Sequence, residues 1–265
     1  MAARVKIFDT FLFRDELDML ECRLVEMDSW PVYTHVLVEA TLDHQGHPKP
    51  LFYAENKERF SAWSDQIVHV VVDDLPAGAA PMDKEAVQRE AIGRGLTDAE
   101  DSDWIILADV DEIPNGKALE TVLNQQPGVF EMVCCMFAVD WLWGRPLKTS
   151  VSRPVGGITS FAAARRDGWT KGPELPGTGH HLTWLGGKQG IQAKMDSHCH
   201  TEVNDALNHG NGDDLFYREG HNPFGNFGYT DQLIPVDVDD TWPRWVRERH
   251  CPPGWFRPRH ASMTP

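Results

Sequence analysis

Two rhythms of apolar and polar positions alternate along the first half of this chain. Val5 to Phe8 is a short apolar run of strand length. Leu17, Leu20, Leu24 and Met27 then recur at helical spacing, with acids and Arg23 on the other face and Asp15 placed to cap the helix. Thr34 to Ala40 (THVLVEA) reads as a buried strand ending in Glu39, and Gly46 to Pro50 forces a loop. A third strand is expected over Ile67 to Val72, a helix over Asp83 to Leu96, and a fourth strand over Trp104 to Ala108. Beyond Pro114 the pattern predicts a short helix over Gly116 to Gln125 and a strand over Phe130 to Val139. From Trp141 onward Gly, Pro, Trp and His dominate, and strands are expected to shorten.

Strands that alternate with helices imply an α/β fold: a mostly parallel sheet with helices on both faces. Sites in such sheets sit at the carboxyl ends of the strands, where Glu39 and Asp109 both fall. No linker or internal repeat divides the chain, so residues 1–236 are expected to form a single domain. The Pro-, Arg- and Trp-rich stretch 237–265 is expected to wrap its surface.

Composition narrows the function. No apolar run approaches the ~20 residues that a membrane span needs. Asp9 interrupts the apolar start of the chain, so Met1 to Phe13 does not read as a signal peptide, and the expected compartment is the cytoplasm. Cys22, Cys134, Cys135, Cys199 and Cys251 are odd in number and form no CxxC pair, which fits reduced thiols rather than a zinc ribbon or a disulfide framework. A net charge of -15 repels nucleic acid and anionic lipid at long range, which disfavours a nucleic-acid acceptor without excluding one. No GxSxG, P-loop, HExxH or GxGxxG pattern supports a hydrolase, kinase or dehydrogenase.

The sharpest chemical signal is Asp109-Val110-Asp111-Glu112, directly after a buried strand. Acids at i and i+2 in that place are costly unless compensated. A hard cation, Mn²⁺ or Mg²⁺, does so through Asp109 and Asp111 and leaves positions open for phosphate. The plain alternative is a solvated turn that caps the next helix. His181 is expected to end a strand just before Gly186 and Gly187. It can be a third metal ligand, while the glycines let backbone N–H groups approach phosphate and Lys194 adds positive charge. His200 lies among polar neighbours. It can ligate the metal, donate a hydrogen bond behind the ligands, or face the acceptor. Arg89 either reaches a diphosphate or pairs with a helix acid, and Lys49 carries the same ambiguity. Donor-binding candidates are therefore Glu39, Lys49, Arg89, Asp109, Gly186, Gly187 and Lys194.

Read in order, several segments resemble glycosyltransferase family 17. They are Phe13-Arg-Asp-Glu-Leu-Asp-Met-Leu-Glu-Cys-Arg-Leu, Val38-Glu39-Ala40 with Gly46-His-Pro-Lys-Pro-Leu, Gln88-Arg89, Asp109-Val-Asp-Glu-Ile-Pro, His181-Leu-Thr-Trp-Leu-Gly-Gly, Lys194, His200-Thr-Glu and Asp214-Leu-Phe-Tyr-Arg218. The resemblance runs from about Ile7 to Arg218. It implies a GT-A-type fold, with a nucleotide-binding half over about 1–115 and an acceptor half over about 116–236. It also implies a nucleotide-sugar donor, a UDP-sugar foremost, with N-acetylglucosamine as one option for the sugar, and a carbohydrate or glycoconjugate acceptor. Transfer would be inverting, with Asp109 and Asp111 as the DxD and His181 as the later metal-side histidine. His180 departs from the pattern, standing where Trp is expected. Inversion needs a general base near the acceptor hydroxyl. Asp140, in Val-Asp-Trp-Leu-Trp where tryptophans can form an acceptor platform, ranks ahead of Glu202 and Glu174.

Two rival readings use the same residues. A metal-dependent nucleotidyltransferase or phosphoesterase needs a denser carboxylate cluster for two metals. A non-catalytic carbohydrate-binding module predicts sugar binding without metal dependence.

Overall fold

The computed structural model describes residues 5–199 and 233–257. The chain opens with β1 (Ile7–Phe13), α1 (Leu17–Met27), β2 (Val32–Ala40) and a short α2 (Phe52–Glu55). Next come β3 (Ile67–Val72), α3 (Pro81–Glu90), β4 (Trp104–Asp109), β5 (Glu112–Pro114) and α4 (Gly116–Leu123). The second half supplies β6 (Gly128–Met136), β7 (Trp141–Leu142), β8 (Leu147–Pro154), α5 (Phe161–Lys171), β9 (Glu174–Thr183) and α6 (Gly187–Met195). Towards the C-terminus come β10 (Ile234–Pro235), α7 (Arg244–Arg247) and a 3-10 turn (Pro253–Trp255).

One large mixed sheet runs β10-β7-β6-β8-β4-β1-β2-β3, and β9 pairs with both β5 and β6. β4, β1, β2 and β3 are mutually parallel, and β8 joins β4 antiparallel. Strand alternation divides the core. Ile106 and Ala108 of β4 pack with Leu20 and Leu24 of α1, while Ile105 and Leu107 pack with Ile92 and Ala164 on the opposite face. Helices therefore cover both faces, as the alternating pattern predicts, and the carboxyl ends of β1, β2 and β4 open on one edge.

Several expected boundaries shift, each for a physical reason. β1 runs on through Phe13 rather than stopping at Phe8, because Asp9 is fully buried against Arg23 and His35 instead of ending the strand. α1 is not capped by Asp15. Its N-cap is Glu16, without a side-chain cap bond, and Asp15 pairs with Arg14. The helix expected to reach Leu96 stays α-helical only to Glu90 and then tightens over Ala91–Gly95. There Gly95 lies so close to β2 that a Cβ would sit 2.4 Å from Val36.

Beyond Trp141 the strands shorten only in part: β7 and β10 have two residues each, but β8 and β9 are long, and two further helices, α5 and α6, appear. Nor do the tryptophans of the Asp140 segment form an open platform, since Trp141 and Trp143 are each 7% exposed. The C-terminal stretch does more than wrap, because Trp242, Trp245 and Trp255 are buried in the core shared with α1. Among the described residues, no helix is long and apolar enough to cross a membrane.

Candidate functional site

The acidic turn after β4 is clamped by three buried arginines. Arg23, from α1, donates to the Glu112 carbonyl at 2.6 Å and to the Asp109 carbonyl at 3.4 Å. Arg89, from α3, donates to the Ala108 carbonyl at 3.2 Å and to Asp109 Oδ1 at 2.8 Å, and also pairs with Glu85. Arg165, from α5, donates to the Leu107 carbonyl at 2.6 Å, to Asp109 Oδ2 at 3.2 Å and to the Glu112 carboxylate. Glu112 closes the ring. Its Oε2 accepts from the Asp109 N–H at 3.0 Å and from Ser150 Oγ at 2.9 Å. Arg89 thus pairs with a helix acid, one of its two sequence alternatives, and binds the acidic turn as well.

Both Asp109 oxygens are therefore engaged. Partial burial works against its charge, but Arg89 and Arg165 outweigh that and hold the carboxyl at about 2. Arg89 and Arg165 also have no cause to leave, since each is bound to at least one backbone carbonyl as well as to acid.

Asp111 faces different partners. Its Oδ1 lies 3.5 Å from His181 Nε2, and its Oδ2 accepts from Lys194 Nζ at 3.1 Å. Lys194 Nζ also donates to Thr183 Oγ1 at 2.8 Å and stands over the Trp184 ring. Burial opposes the charge on Asp111, yet Lys194 and then His181 hold it well below the usual carboxylate range. Burial likewise disfavours a charged His181, but Asp111 overrides this and raises the imidazole well above its ordinary value.

Strand register makes the meeting possible. β5 pairs antiparallel with β9, with Glu112 opposite His181, and the Leu182 N–H donates to the Asp111 carbonyl at 2.9 Å. Gly179, at φ +143, permits the close approach, since a Cβ there would lie 2.1 Å from the Ile113 carbonyl oxygen. His180 alternates to the other side, 3% exposed and packed against the tilted Trp242 ring, and burial lowers it to about 4.

A second polar group borders the same strand ends. Glu39 is fully buried and is held by Lys49 Nζ at 3.2 Å and His69 Nε2 at 2.9 Å. Lys49 also donates to the Arg14 carbonyl at 2.9 Å. Glu39 stands opposite Phe13 of β1, so this cluster lies just beside the β1 terminus.

Other expected residues lie elsewhere. Gly186 and Gly187, at φ +93 and +64, open α6. Lys194 lies seven residues beyond Gly187, roughly 10 Å along a helix axis, so Lys194 rather than the glycines meets Asp111. Asp140 is tied to the C-terminal stretch. Its Oδ1 accepts from the Arg257 N–H at 2.8 Å, and its Oδ2 lies 3.3 Å from Arg257 Nε. Glu174 is exposed and pairs with Lys148. His200, Glu202 and the segment Asp214–Arg218 lie outside the described residues.

The sequence reasoning missed Arg23, Glu112 and Arg165 as part of the site. Glu112 carried a signal, a third acid immediately after the pair. Arg165 carried a weaker one, a basic residue inside an Ala-rich helix start.

A carboxylate and an imidazole that converge on a shared point suit a borderline divalent cation such as Mn²⁺. Among the described residues, no three His, Cys, Asp or Glu side chains form a metal-binding group. Any cation at Asp111 and His181 would thus need further ligands from substrate, from water or from residues outside the described ones, His200 being the candidate named above. The sequence model of one protein family, described as glycosyltransferase family 17, matches residues 1–137, more than half the chain. The matched part contains Glu39, Lys49, Arg89, Asp109 and Asp111, and ends before Asp140, His181 and Lys194. No curated protein matches the chain.

Proposed function

The chain belongs to glycosyltransferase family 17, and from that premise we propose that it moves a sugar, with inversion, from a nucleotide-sugar donor to an acceptor hydroxyl with the help of a divalent cation. The observation that carries this reading is the convergence of Asp111, His181 and Lys194 at the carboxyl edge of the sheet. Asp111 and His181 would hold Mn²⁺ or Mg²⁺, which when bound supplies positive charge for the departing diphosphate.

The remaining steps belong to the chain's own groups. Lys194 and Lys49 offer ammonium groups to the donor phosphates. Arg89 and Arg165 keep Asp109 ionised and the turn rigid, so Asp111 is presented in one orientation. The acceptor oxygen would attack the anomeric carbon on the face opposite the diphosphate, a carboxylate taking its proton as the C–O bond to the diphosphate breaks. Asp140 and Glu202 are the candidates for that carboxylate, and Asp140 can serve only once Arg257 releases it. Among the described residues one carboxylate and one imidazole meet there, which gives a two-metal phosphoryl-transfer centre no comparable support.

A donor screen tests this reading. Purified protein is incubated with UDP-, GDP-, CDP- and ADP-linked sugars, with Mn²⁺ or with a chelator, and free nucleoside diphosphate is measured. Release of nucleoside diphosphate only with Mn²⁺ is expected. Release undiminished by chelator removes the metal, and release of pyrophosphate instead removes sugar transfer.

A further inference from the structure

We infer that Lys194 is the resting counter-ion of Asp111 and passes to the donor diphosphate when the donor binds, so that a divalent cation gains Asp111 only together with the nucleotide. This inference rests on the metal-dependent reading above. Each Asp111 oxygen already has a partner: Lys194 Nζ at 3.1 Å on one and His181 Nε2 at 3.5 Å on the other. A dication on that carboxylate beside the ammonium would bring like charges into near contact, in a place where solvent screens them weakly. The Asp111 side chain is 10% exposed, so water cannot replace Lys194 as its compensation. Lys194 therefore leaves only as another cation arrives, and a new anion where it goes favours the move. A metal–diphosphate pair supplies both at once.

The surroundings suit the exchange. Lys194 sits in the last turn of α6 with its side chain 22% exposed, on a flexible four-carbon stem. Thr183 Oγ1 and the Trp184 ring line its resting place. Arg14, the next cation near Asp111, is not free to substitute, since it is committed to Asp15, Ser197 and the Ala193 carbonyl.

Calorimetric titration of Mn²⁺ into wild type, Lys194→Met and Lys194→Arg tests the inference, without nucleotide and with UDP, GDP, CDP or ADP. Circular dichroism confirms the fold, and Lys194→Gln replaces the Met variant if that one does not fold. Wild type should bind Mn²⁺ at least tenfold more tightly with its preferred nucleotide than without. Lys194→Met should bind Mn²⁺ without nucleotide at least tenfold more tightly than wild type does, and gain less from adding it. Lys194→Arg should stay within threefold of wild type. If wild type needs the nucleotide but folded Lys194→Met shows no gain in its absence, the counter-ion role alone is overturned. If wild type binds no Mn²⁺ with any of the four nucleotides, the metal-dependent reading falls and this inference falls with it.

Discussion

Arg165 Nη2 donates to Asp109 Oδ2 at 3.2 Å and also to the Glu112 carboxylate, so one guanidinium from α5 spans both ends of the acidic turn. Removing it leaves Glu112, 2% exposed, without its cation. Arg165→Ala should therefore cost about 3–5 kcal/mol of folding stability, the usual penalty for orphaning a buried charge. Arg165→Lys should recover part of that, yet still weaken donor binding, because an ammonium cannot hold the Leu107 carbonyl and both acids in one plane. Urea denaturation and donor KM for the two variants check this. Equal stability of Arg165→Ala and wild type would refute it.

Asp111→Asn should lower kcat/KM by about 100-fold or more, or about 2.7 kcal/mol of transition-state stabilisation. Stability should change little. The groups left behind are Lys194 and His181, whose side chains are 22% and 20% exposed, so the ammonium can turn to water and the imidazole can release its proton. Turnover measured beside a thermal melt separates the two effects, and near wild-type turnover in a folded variant would end the assignment.

Buried His180 predicts a pH dependence of stability. Its folded value of about 4 lies below the ordinary 6.5, so the unfolded chain binds the extra proton first. Stability should be full above about pH 6.5 and fall as pH drops toward 4. The gap sets a ceiling of about 3 kcal/mol. His180→Phe should flatten the stability profile in that window while leaving Asp111 and His181 in place. An unchanged slope would show that His180 is not the group responsible.

Asp9 predicts a separate loss at lower pH. Burial pushes its carboxyl up, but Arg23 and His35 bring it down to about 2. A depressed carboxyl stabilises the fold above its unfolded value near 3.8, and that contribution is lost as pH falls through about 2. Asp9→Asn should destabilise the protein at neutral pH by about 3–5 kcal/mol, because Arg23 is fully buried and keeps its charge. Denaturation at pH 7 and pH 3 should show the difference between variant and wild type shrinking with acid.

Much of the fold was legible because β-branched and apolar runs such as Trp104–Ala108 can do little but form buried strands. The acidic pair and His181 were legible for a related reason: costly groups at strand ends demand compensation. What escaped reading was the compensation itself. Arg165 meets Glu112 across 53 residues of chain and Asp109 across 56, and no local pattern encodes such a meeting. Asp9 misled for the same reason, since a buried acid reads as a strand breaker until Arg23 and His35 are seen around it. Helix α5 (FAAARRDGWTK) was missed because its apolar stripe is weak and a glycine sits inside it. That glycine lies where a Cβ would meet Val151 at 2.4 Å, so packing against the sheet rather than local propensity chose it.

The pairing of Gly179 with Pro114 bears on which of two adjacent histidines the site receives. Strand side chains alternate, so sliding β9 by one position against β5 would exchange them. His180 would turn toward Asp111, and His181 would turn into the apolar pocket beside Trp242. The two imidazoles now hold opposite affinities for a proton, one lowered by burial and the other raised by Asp111. The pair is thus a titratable ruler for strand alignment. In Gly179→Ala, two imidazole resonances that keep their separate midpoints would report native alignment, and midpoints that converge or trade places would report a slipped one.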